Sequence, residues 1–129
     1  MSILERVLLV GFAGALGTIT RYLVGVWALK SLGATLPYGT LIVNLVGCFL
    51  IAAITHVALS SHLVSPTLRL VLTTGFLGGL TTYSSFNLET TAFLRSPDWH
   101  LGLLYLGVTV VGSLVAGLLG VATARALTG

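Results

Sequence analysis

The sequence predicts an all-α integral membrane protein of four transmembrane helices, with a break inside the third. Three observations carry that reading. Of the 129 residues, 56% are hydrophobic and 7% charged, with a mean hydropathy of +1.07, whereas soluble domains carry about 25% charged residues. The charged side chains leave uncharged gaps at 7–20, 31–68, 70–88 and 99–124, and a membrane-spanning helix takes about 20 largely apolar residues. Finally, the run Gly75-Phe76-Leu77-Gly78-Gly79-Leu80-Thr81-Thr82-Tyr83-Ser84-Ser85-Phe86-Asn87 places glycines, then hydroxyls and rings, in the middle of an apolar stretch. The spans fall at roughly 4–29, 38–59, 68–95 and 99–126. They fill the chain, so residues 1–129 form one transmembrane domain with no room for a soluble catalytic module.

In the first span, Arg6 precedes an apolar run with small residues at Ala13 and Ala15, as in a secretory leader. The apolar pattern continues past Arg21 through Tyr22-Leu23-Val24-Gly25-Val26-Trp27, which favours a retained helix over a cleaved leader. Gly14, Gly17, Arg21 and Gly25 share one broad face. In the second span Thr40 and Asn44 stand four residues apart, on one side of a helix. Cys48, the only cysteine, excludes an intrachain disulfide and a cysteine metal site.

The third span holds the break. Neighbouring glycines weaken a helix by roughly 1 kcal/mol each relative to alanine. Non-helical backbone at membrane depth survives only against protein or a water-filled cavity. The break therefore reads as the centre of an ion pathway. Just beyond it, Tyr83, Phe86 and Thr90 fall on one face, and Glu89 follows the rings by one turn. In the fourth span Tyr105, Thr109 and Ser113 line up at four-residue spacing, and Gly112, Ala116 and Gly120 form a small-residue stripe. Small residues at that spacing let helices approach closely, within one chain or between two.

Arg6, Arg69 and Arg125 lie on one side of such a bundle and Lys30 and Arg95 on the other, three against two, with Arg21 inside the first span. A bias this small barely sets orientation. Either one orientation is weakly specified, or copies insert both ways and pair as an antiparallel dimer. Trp27, Tyr38 and Trp99 gather on the Lys30 side, where amphipathic rings anchor at headgroups. Dimerisation also suits four short helices that must cover Arg21, Asn44 and Glu89, each costly against lipid.

The polar stripes are made of hydroxyls and one amide. A single membrane Ser or Thr most often bonds its own helix, and a hydroxyl ladder also serves as interhelical glue. Three hydroxyls in register with an asparagine on another helix instead suit an anion, because hydroxyl donors rotate to follow it. Ring edges carry the positive part of the quadrupole, so Tyr83 and Phe86 presented edge-on would favour the same charge. The basic residues are scattered singly, which argues against nucleic acid. The sequence has no GxxxxGK[ST] motif and no defensible Ser/His/Asp constellation, and the chain reads as a non-enzyme. His56, His62 and His100 sit near helix ends, as solvated interfacial residues.

The segments Gly39-Thr40-Leu41-Ile42-Val43-Asn44-Leu45-Val46-Gly47 and Gly75 through Phe86, with Glu89-Thr90, resemble the signatures of the Fluc (CrcB) fluoride channels. Gly14-Ala15-Leu16-Gly17 with Arg21-Tyr22 is similar to the family's first-helix pattern. The resemblance covers all four spans. It implies a multi-pass protein of the bacterial plasma (inner) membrane, forming an antiparallel, dual-topology homodimer with two fluoride pores. Fluoride would leave passively, down its electrochemical gradient, after entering acidified cells as HF. By the same resemblance the pore asparagine falls on Asn44 and the two ring positions on Tyr83 and Phe86, although family members usually carry phenylalanine where this chain has Tyr83. The polar track falls on Tyr105, Thr109 and Ser113. Ser84 and Ser85 offer further donors, Thr40, Glu89 and Thr90 join the pore lining, and Arg21 makes the vestibule electropositive. A structural sodium ion at the dimer interface would be held by the backbone carbonyls of Gly78 and Thr81, with no organic cofactor.

Two other functions fit a chain of this kind. A small proton-coupled exporter of the four-helix, dual-topology type would carry its essential glutamate in the first span, where the only acid here is Glu5 at the extreme end. A structural assembly subunit would use its polar stripes only as glue.

Overall fold

The computed structural model describes residues 1–129, and every regular element in it is helical. Helix α1 (Ile3–Leu32) starts at a reciprocal cap, in which the Ser2 hydroxyl accepts from the Glu5 amide while the Glu5 carboxylate accepts from the Ser2 amide. It ends at Gly33, whose φ of 84° is open to glycine. Helix α2 (Tyr38–Ser60) follows Pro37. Pro66 at the first position and the Ser65 side-chain cap open α3 (Pro66–Leu70). A π-helical stretch (Val71–Leu77) and the single turn α4 (Gly78–Leu80) continue from it. After two extended residues come α5 (Tyr83–Leu94) and α6 (Trp99–Thr128).

Helices α1, α2 and α6 are each long and apolar enough to cross a membrane. The third predicted span is different. It runs through α3, the π stretch, α4 and α5, and its longest piece has 12 residues, about 18 Å against a hydrocarbon core of about 30 Å. The break itself also differs from expectation. Gly78 is helical (φ −62°, ψ −35°), whereas Thr81 (φ −84°, ψ 155°) and Thr82 (φ −150°, ψ 121°) are extended. Gly79 serves packing rather than unwinding: a Cβ on it would fall on the Gly14 carbonyl, and across the same contact one on Gly17 would fall on the Phe76 carbonyl.

The small-residue stripes are used inside the chain. A Cβ on Gly120 would strike the Phe49 carbonyl, and Gly112 stands against Leu45, so the α6 stripe seats on α2. Gly39 packs on Gly25 and Ala28 where α2 meets α1. Val43, Leu77 and Leu80 form a small buried core, with Val24, Leu50, Ile54 and Phe76 against it. Only 16 of the 129 residues are buried, while Phe12, Leu23, Leu114 and Leu118 stand exposed. Apolar surface on that scale is covered by lipid or by another protein surface. The protein is an integral membrane protein.

Candidate functional site

Everything at the site follows from how the break after α4 is capped. Extended backbone at Thr81–Thr82 removes helical hydrogen bonds, and at this depth the exposed groups need partners. Asn44 of α2 supplies them. Its carbonyl oxygen accepts from the Thr82 N–H at 2.8 Å, and its NH2 donates to the Thr82 carbonyl at 3.0 Å. The Thr82 hydroxyl caps α5 by accepting from the Ser85 amide at 3.2 Å. In a continuous helix the Thr82 amide would have served the Gly78 carbonyl, and the Ser85 amide the Thr81 carbonyl. Both amides are diverted to side chains, and neither carbonyl receives a backbone hydrogen bond. The Gly79 carbonyl, next in line, accepts from Arg21 Nε at 3.1 Å.

A cavity of about 300 Å³ opens beside the break, lined by Asn44, Cys48, Thr81, Thr82, Tyr83, Phe86, Thr109, Val110 and Ser113. Most of its wall is apolar carbon, with hydroxyls set into it. The Thr109 hydroxyl is buried and has no hydrogen-bond partner in the chain. A buried hydroxyl left unpaired costs about 1–3 kcal/mol, so its position against the cavity calls for a ligand or water there. The Tyr83 and Phe86 rings meet edge-on, centroids 5.8 Å apart at 72°. Phe86 is buried, but Tyr83 is 80% exposed.

A second cluster lies further along α5, around Glu89 in the middle of the helix. Thr40 Oγ1 donates to Glu89 Oε1 at 2.7 Å, and the Tyr105 hydroxyl donates to Glu89 Oε2 at 2.6 Å. The Phe86 and Tyr105 rings, 5.4 Å apart, join this cluster to the cavity.

The predicted stripes are therefore divided between two places. Thr40 and Asn44 share a face of α2 but address different partners, Glu89 and Thr82. Along α6, Tyr105 turns to Glu89 while Thr109 and Ser113 face the cavity. Thr90 bonds its own helix at the Phe86 carbonyl, 2.7 Å away. Ser84 and Ser85 gather on the Thr82 hydroxyl at 3.4 and 3.1 Å. By sequence Thr82 falls in the break but has no assigned place at the site, and Cys48 has none beside the cavity. Thr82 carries the sequence signal of an N-cap, a hydroxyl three residues before the amide that it receives. Nothing in the sequence marks Cys48 as a cavity residue.

The geometry offers an anion rotating hydroxyls and ring edges, and offers a cation freed carbonyls. Residues 8–121 match the model of the family described as CrcB-like protein, Camphor Resistance (CrcB). The chain is 48% identical over 124 residues to a protein of Sorangium cellulosum (strain So ce56) named fluoride-specific ion channel FluC, covering 96% of this chain and 98% of that one. It is 47% identical over 126 residues to one of the same name from Anaeromyxobacter sp. (strain K), covering 98% and 100%. A third of that name, from Chlorobium chlorochromatii (strain CaD3), is 45% identical over 96% of this chain and 95% of its own. Matched along nearly its whole length by relatives that are themselves nearly wholly covered, the chain belongs to the CrcB family.

Proposed function

We propose that the protein is a fluoride-selective channel that lets cytoplasmic fluoride leave down its electrochemical gradient; its relatives are named fluoride-specific ion channels. It is not an enzyme. The observation that carries the reading within this chain is the unpartnered, buried Thr109 hydroxyl on a cavity shared with Ser113, Asn44, Tyr83 and Phe86. A small anion stripped of water needs donors whose hydrogens turn toward it, and Thr109 and Ser113 supply them one turn apart. The edge of Phe86 adds a positive partial charge and no competing acceptor. Nothing specific favours a proton-coupled exporter, since Glu89 is engaged by two hydroxyls.

The working unit is an antiparallel homodimer of four-span subunits, inserted in both orientations in a bacterial inner membrane. Two features support it: the near-balanced loop charges and the exposed Tyr83 ring, which leaves the cavity wall unfinished in one chain. The Gly78 and Thr81 carbonyls, deprived of amide donors by Asn44 and Thr82, would hold a sodium ion between subunits, because neutral oxygen donors suit a hard cation. That ion would be structural, tying two breaks together.

The test is ion loss from liposomes containing the purified protein, triggered by a potassium ionophore with no proton gradient. Electrically driven loss of fluoride, with chloride retained, is expected. Absence of fluoride loss, or loss only when a proton gradient is imposed, would overturn the proposal.

A further inference from the structure

The turn joining α2 to α3 encloses a cavity of about 310 Å³, far from the break, lined by Ser61, His62, Ser65 and Arg69 on its polar side and by Leu59 and Val64 on its apolar side. The serine hydroxyls are occupied. Ser61 donates to the Val57 carbonyl at 2.7 Å and accepts from the Leu63 amide at 3.3 Å, while Ser65 accepts from the Leu68 amide at 3.1 Å. The Arg69 guanidinium and the His62 ring, in contrast, donate to nothing in the chain; Arg69 is engaged only through its backbone, its amide donating to the Ser65 carbonyl and its carbonyl accepting from Thr73. No acidic side chain lines the cavity.

We infer that this turn binds the phosphate group of an anionic phospholipid, held by Arg69 and His62. A guanidinium offers a planar fork of donors matched to phosphate oxygens, and the imidazole adds a further donor from across the cavity. The apolar side decides the source of the phosphate. The exposed Leu59 and Leu63 flank the cavity at the end of a membrane-spanning helix, where acyl chains would lie against them. A free phosphate ion would gain nothing from that wall.

Native mass spectrometry of the detergent-solubilised protein, titrated with phosphatidylglycerol or phosphatidylcholine, tests the site. Phosphatidylglycerol should be retained at least about fivefold more tightly, the factor expected of one basic side chain at an anionic surface. Arg69→Gln should abolish that preference, and His62→Gln should weaken it. Arg125→Gln, which removes a charge outside the cavity, should leave it intact. Neither Arg69 nor His62 holds another residue, so both variants should elute as folded protein. Equal retention of the two lipids, or an equal loss in Arg125→Gln, would overturn the site in favour of a generally basic face. Displacement of phosphatidylglycerol by inorganic phosphate would overturn the lipid as occupant.

Discussion

The side-chain amide of Asn44 pairs with both backbone groups of Thr82, accepting from the N–H at 2.8 Å and donating to the carbonyl at 3.0 Å. Asn44 thereby takes the place of the helical neighbours that Thr82 gives up. The pairing links α2 to the break and frees the Gly78 carbonyl from its ordinary donor.

Asn44→Ala should therefore destabilise the protein by about 2–4 kcal/mol, because it strands a buried donor and a buried acceptor together. Asn44→Asp, which keeps an acceptor for the N–H but cannot donate to the carbonyl, should unfold and should also lose fluoride flux. Thermal unfolding in detergent checks the first expectation. An unchanged midpoint in Asn44→Ala would mean that water replaces the amide without loss.

Thr109 separates stability from transport. Thr109→Val keeps the shape and removes an unpartnered buried hydroxyl, whose burial costs about 1–3 kcal/mol. The variant should melt at the same or a higher temperature while fluoride flux falls at least tenfold, equivalent to about 1.4 kcal/mol in the barrier. Thr109→Ser should retain flux. A Thr109→Val protein that conducts normally would remove this hydroxyl from the pathway.

The rings make a second pair. The Tyr83 hydroxyl meets no partner in the chain and its side chain is exposed, so Tyr83→Phe should hold fluoride flux within about tenfold. Phe86 can offer an anion only its edge or its shape, and Phe86→Ile should be far more damaging. Abolition of flux by Tyr83→Phe in a folded protein would instead make the phenol oxygen an obligatory donor.

Close packing of α1 on the third segment predicts a sharp contrast between two glycines. A Cβ at Gly17 would land on the Phe76 carbonyl, whereas Gly11 has open space around it. Gly17→Ala should cost about 1–3 kcal/mol through forced backbone displacement. Gly11→Ala should be neutral or slightly stabilising, since alanine favours a helix by about 1 kcal/mol. Comparable melting temperatures for the two variants would contradict the packing of α1 described above.

Dual insertion is checked by labelling. With Cys48 removed and a cysteine placed beside Arg125, a membrane-impermeant reagent should modify about half the copies from either face of the membrane, as a weak charge bias implies. Modification from one face alone would exclude two orientations.

What the sequence determined by itself was everything that repeats along a helix or that a membrane forbids. Long uncharged gaps demanded spans, and four-residue spacing placed Thr40 with Asn44 and Tyr105 with Thr109 and Ser113 on common faces, because helical geometry is fixed locally. The run from Gly75 to Asn87 declared a break, since polar and flexible residues have no local reason to interrupt an apolar helix. Only the tertiary structure decided which residues unwind and where each polar group turns. Gly78 stays helical while its neighbours Gly75 and Gly79 pack against α1, and the threonines take the extended backbone because Asn44, 38 residues away in sequence, is there to receive Thr82. The stripes on α2 and α6 likewise divide between the Glu89 carboxylate and the cavity according to which segment of the third span lies opposite. Periodicity assigns a side chain to a face, but hydrogen bonds are short and directional, so their partners are chosen only when the helices meet.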